Sequence, residues 1–176
     1  AGSQASFEFQ TFTPNVGGPG TTDTIAANSP LTPSVLLDSA AFVRAPSGTA
    51  TAGEIFLDLY EGNVGDAGTF VGSSINSNDI NSAAALEFLI WDFDDILLDS
   101  DQEYSLVFSS DIGPGNTVLG RIAAANNGAG FTDTYSGGIA DGGSGTLPFD
   151  TRFAVSTTAV PEPASIAIWS ALGLVL

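Results

Sequence analysis

A chain of 176 residues is one domain's worth of sequence, long enough for a sizeable core. It contains no Lys, His, Cys or Met, and three Arg stand against 20 acidic residues, for a formal net charge of -17. This inventory excludes the usual zinc and haem ligand sets, a Ser-His-Asp triad, a cysteine nucleophile and a Schiff-base lysine, and the charge repels nucleic acid and anionic headgroups.

Only 13% of the residues are charged while 43% are hydrophobic, so this is not a disordered acidic tail. In chain order, Phe7 and Phe9 alternate with Glu8 and Gln10 before the turn Gly17-Gly18-Pro19-Gly20. A strand is predicted over 35–43, then a turn at Pro46-Ser47-Gly48. Ile55, Leu57 and Leu59 share one face of the next strand, with Glu54, Asp58 and Tyr60 on the other. Glu61-Gly62-Asn63 and Gly65-Asp66-Ala67-Gly68 lead into strands predicted over 69–75 and 86–93. Tyr104, Leu106 and Phe108 form the next alternating set. Gly113-Pro114-Gly115-Asn116 separates it from a strand over 118–124. A Gly-rich loop fills 137–145, and Phe149, Thr151, Phe153 and Val155 alternate in the last strand. This spacing predicts an all-β fold, an antiparallel β-sandwich of jelly-roll type, over residues 1–158, with no helix before the C-terminal tail.

The chain then changes character. Residues 159–165 form a Pro-rich linker, in which Pro161 and Pro163 hold the backbone extended. Residues 166–176 are an uncharged apolar tail, and proline before such a run predicts a helix. About 20 apolar residues are needed to cross a bilayer, more than this run supplies.

Val160-Pro161-Glu162-Pro163-Ala164-Ser165 with the apolar run behind it resembles the PEP-CTERM sorting signal of exported bacterial proteins. In that family a Val-Pro-Glu-Pro motif precedes a transmembrane helix and a short basic cluster, and the membrane protease exosortase is thought to process it. The resemblance covers about the last tenth of the chain and departs from the family in lacking the basic cluster. It implies a bacterial source, secretion, and a cell-surface or matrix destination, with membrane contact only transient and through the sorting segment. The small, polar start Ala1-Gly2-Ser3-Gln4-Ala5 fits the position just after a cleaved signal peptide. The domain before the motif is similar to the β-sandwich domains such proteins often carry, which implies no known catalysis.

Three residue sets invite chemistry. The densest acidic stretch offers Asp94, Asp95, Asp99 and Asp101 as hard oxygen ligands for calcium, the one candidate ion, provided Ile96-Leu97-Leu98 folds the two acidic clusters together. The plainer reading is two solvated strand ends. Glu87 beside Trp91, or Glu54 beside Tyr60, can be drawn as glycosidase carboxylates, a drawing any acidic chain permits, and no enzyme is expected. Trp91, Tyr60 and Tyr135 could stack on sugar, although Trp91 within Phe88-Leu89-Ile90-Trp91 reads as core. Arg44, Arg121 and Arg152 are each expected to meet a carboxylate.

The sequence therefore predicts a non-catalytic extracellular structural protein that assembles with copies of itself. Ile166, Ile168, Trp169, Leu172, Leu174 and Val175 would form the connector, as a bundled helix or as a strand donated to a neighbour. Trp169 could also sit at a membrane interface. The alternative is a lectin-like adhesin for a glycan, assisted by calcium.

Overall fold

The computed structural model describes residues 8–13, 34–46, 54–63, 68–99, 102–110, 122–123, 139–142 and 151–159. Within them the chain forms strands and no helix. The strands are β1 (Glu8–Phe12), β2 (Ser34–Val43), β3 (Glu54–Glu61), β4 (Thr69–Ser73), β5 (Asn78–Asp79), β6 (Phe88–Asp99), β7 (Tyr104–Ser109), β8 (Ala140–Gly142) and β9 (Phe153–Ala159). Every pairing between them is antiparallel. The larger sheet runs β4-β3-β7-β1-β8, with β5 also paired to β3, and the smaller runs β6-β2-β9.

Alternation decides what β3 and β6 bury, whereas Phe9–Phe12 of β1 and Tyr104–Phe108 of β7 are buried on both faces. Ile55, Leu57 and Leu59 on β3 are fully buried, as their period-two spacing predicts. On β6, Leu89, Trp91 and Phe93 point into the same core. The sheets meet there: the Phe42 ring of β2 lies 4.9 Å from Phe108 of β7, and the Trp91 indole N–H donates to the Ile55 carbonyl at 2.8 Å. Phe153 of β9 stacks on Phe42 at 6.0 Å. Each large side chain so buried contributes about 1.5–3 kcal/mol before ordering costs. β4 faces β6 at Gly72, where a Cβ would lie 2.8 Å from Ile96 Cδ1, the movable end of that side chain.

A double irregularity reverses the phase of β2 and β6 in the smaller sheet. Leu37 pairs with Ile96 and Ser39 with Asp92, so Asp38 alone faces the three residues Phe93, Asp94 and Asp95. Against β9, Leu37 pairs with Thr157 and Ser39 with Ser156, leaving Asp38 extra again. The inward set on β2 accordingly changes from Val35 and Leu37 to Ala40 and Phe42. On β6 it changes from Phe93 to Leu98. The strand predicted to stop at Phe93 therefore runs on to Asp99.

Polar ties cross the core where the sheets join. Gln10 of β1 is buried, and its Oε1 accepts both the Thr151 N–H at 3.0 Å and the Thr151 hydroxyl at 2.8 Å. Arg44 is also buried. Its guanidinium donates to the carbonyls of Ile80 at 2.7 Å and Ala45 at 2.6 Å, fixing the turn that inserts Ile80 into the core. Of the strand predicted over 118–124, Ile122 and Ala123 are described: Ile122 bridges Arg44, and the Ala123 carbonyl accepts the Arg152 N–H.

Candidate functional site

The acidic stretch lies along one strand. Asp94 and Asp95 are exposed at the irregularity, with Asp95 at φ 46°, a left-handed conformation that Asp tolerates. Ile96, Leu97 and Leu98 do not fold the two clusters together. They pair with Leu37, Leu36 and Val35, and four residues at about 3.3 Å each hold Asp95 and Asp99 roughly 13 Å apart. Asp99 accepts from the Ser34 hydroxyl at 3.3 Å, while its own N–H donates to the Tyr104 hydroxyl at 2.9 Å. Asp101 lies outside the described residues. Among the described residues no group of three or more acidic side chains is placed to hold a metal ion.

The carboxylates drawn beside aromatics serve turns. Glu87 accepts the Ala84 N–H at 2.6 Å, and Glu54 accepts the Ser77 hydroxyl. Asp79 accepts from the Ser82 hydroxyl and from the Asn81 N–H at 2.9 Å. The Ser82 hydroxyl chiefly, helped by the Asn81 and Ser82 N–H groups, holds the Asp79 carboxyl below its ordinary value. Trp91 is closed into the core with 0% exposure, which removes it from any sugar-stacking face, and Tyr135 lies outside the described residues.

Among the described residues, two groups of exposed apolar side chains lie on the outer sheet faces. On the outer face of the smaller sheet, β6 presents Phe88, Ile90 and Leu97 at 56%, 49% and 58% exposure. On the outer face of the larger sheet, Phe56, Phe70 and Val71 are exposed, and the Tyr60 and Phe70 rings meet edge to face at 5.5 Å. Burial, and then the Asp58 charge, raise the Tyr60 phenol above its ordinary value. Asp58 lies between Phe56 and Tyr60 on the same face of β3 and accepts the Ser73 hydroxyl at 2.6 Å. Of the three aromatics expected to stack on sugar, Tyr60 lies on this surface; Phe56, in the same solvent-facing phase of β3, and Phe70 join it here without having been expected to.

The motif Val160-Pro161-Glu162-Pro163 and the tail residues Ile166, Ile168, Trp169, Leu172, Leu174 and Val175 lie outside the described residues. Among the described residues no helix is long and apolar enough to cross a membrane. Comparison with family models, curated proteins and solved structures finds no match.

Proposed function

We propose that the chain is a non-catalytic structural protein of a bacterial surface or matrix, exported with the help of its Val160–Pro163 motif and assembled through its apolar tail. In this reading residues 1–158 are a jelly-roll-like sandwich, 159–165 a spacer and 166–176 a helical connector. The observation that carries it is the open row of Phe88, Ile90 and Leu97 on a domain whose core is already filled. Such a row on a chain with net charge -17 calls for a cover, and an uncharged tail can approach it without adding like charge. β9 ends at Ala159 in the same sheet that carries the row, so the extended spacer starts from that sheet. A tail seated on the next copy makes a head-to-tail contact that does not close, and so grows a filament.

The test is the native protein set against a chain lacking 164–176, compared by light scattering and electron microscopy, with the intact mass of the native material measured first. Filaments that vanish with the tail are expected. Unchanged filaments, or a native mass already lacking the tail, remove it as the connector, and dispersed native monomers overturn the assembly reading.

A further inference from the structure

We propose that the outer face of β3 and β4 binds a neutral pyranose through Phe56, Asp58, Tyr60 and Phe70. The strand geometry builds this surface. Phe56, Asp58 and Tyr60 alternate outward along β3, and the register sets Phe70 opposite Tyr60 and Ser73 opposite Asp58. The Tyr60 and Phe70 rings stand at 73° to each other, a corner with one ring face and one ring edge. Tyr60 packs beside Phe9 and Val107, which share its face on the neighbouring strands, whereas Phe70 is 54% exposed and Phe56 38%. The Ser73 hydroxyl engages Asp58 Oδ1, which orients the carboxylate and leaves Oδ2 as an acceptor between aromatic rings. Phe56 and Tyr60 lie about 13 Å apart along the strand, room for more than one sugar ring.

The chemistry of the surface selects its occupant. A pyranose offers an apolar C–H patch for an aromatic ring and hydroxyls that donate to a carboxylate, so one ligand satisfies both halves of the face. A cover of apolar side chains alone would bury the Asp58 carboxylate without supplying a donor, which is costly. Glu54 shares the outward phase of β3 with Phe56, Asp58 and Tyr60, and the chain as a whole carries -17, so uronates and other acidic sugars are repelled. This surface is separate from the Phe88 row and does not depend on the assembly reading.

The experiment is affinity electrophoresis of the whole chain in native gels containing dextran, mannan or galactan, with polygalacturonate as the acidic counterpart. Retardation is expected in at least one neutral gel and none with polygalacturonate. Phe70→Ala should weaken the retardation roughly 2- to 10-fold, the loss of one aromatic contact. Asp58→Asn should also weaken it, and Phe88→Ser on the other sheet should not. Phe70 and Phe88 are exposed, so unchanged unfolding temperatures will separate lost binding from lost folding. Passage through all three neutral gels without retardation overturns the proposal, as does equal retardation of Phe70→Ala and the parent chain, or retardation by polygalacturonate.

Discussion

Asn76 acts towards Asp92 as a neighbouring strand would. Its side-chain oxygen accepts the Asp92 N–H at 2.7 Å, and its amide donates to the Ile90 carbonyl two residues earlier at 2.9 Å. The Ile75 N–H adds a bond to the Asp92 carbonyl at 2.8 Å, and Asn78 a second donor to Ile90 at 2.7 Å. An open strand edge invites pairing with another chain, and here the edge of β6 is occupied from Ile90 to Asp92 by carboxamides and one loop amide.

Asn76→Ala should therefore do two things. Losing the pair of bonds should lower stability by about 1–2 kcal/mol in urea unfolding. The freed Asp92 N–H should also raise the tendency to associate edge to edge, read as a larger hydrodynamic radius at high protein concentration. Asn76→Asp keeps the acceptor and loses the donor, so its stability should fall between the two.

Trp91 is the largest fully buried side chain, and it carries a polar handle onto the opposite sheet. Trp91→Phe should cost about 2–4 kcal/mol, because it leaves a void and strips the Ile55 carbonyl of its donor. The same substitution should leave sugar retardation intact. Loss of binding in a folded Trp91→Phe chain would show that the ligand surface lies elsewhere.

The pH dependence has two limbs. Asp79 is more acidic in the folded chain than its ordinary value of 3.8, so its stabilising effect is present above that value and is lost as pH falls through the lower, folded one. Tyr104 moves the other way. Burial first, then the Asp99 and Glu61 charges, raise it above its ordinary 10.0, against the opposing effect of the Asp99 N–H bond. Its stabilising effect is therefore complete below 10.0 and is lost as pH rises through the folded value. Acid also relieves the general repulsion of a -17 chain, so the acid limb is read as the difference between the parent and Asp79→Asn. The alkaline limb is read against Tyr104→Phe.

Calcium is tested by chelation. With Asp95 and Asp99 held apart by paired strand, EDTA should leave the unfolding temperature unchanged, and calcium added back should not raise it. A calcium-dependent rise that disappears in Asp99→Asn would restore the ion to the acidic stretch.

The strands legible in the sequence are those whose alternation is unbroken. Ile55, Leu57 and Leu59 announce the inner face of β3, and Trp91 could be placed in the core from its apolar neighbours. The second half of β6 was hidden because Asp94 and Asp95 interrupt the alternation, and a bulge in one strand cannot be distinguished from a loop until its partner strand is known. Phe149, Thr151, Phe153 and Val155 suggested one strand. In the structure Thr151 belongs instead to the tie with Gln10, and β9 starts at Phe153 and continues through Thr157 and Thr158. The Asn76 cap was not legible at all, since it depends on contact with a strand distant in sequence. The ring corner of Tyr60 and Phe70 was equally hidden, because the register between β3 and β4 contains a one-residue shift.

The bond between Gln10 and Thr151 ties the first described strand to the residue just before the last. β1 lies between β7 and β8, and β2 between β6 and β9, so both early strands wait for partners made much later. The larger sheet cannot be completed before Gly142, nor the smaller before Ala159, has emerged from a ribosome or a narrow channel. Folding slow enough to await the last strand is what contacts this distant in sequence produce. The order of synthesis thus keeps the smaller sheet open until Ala159 has cleared the exit.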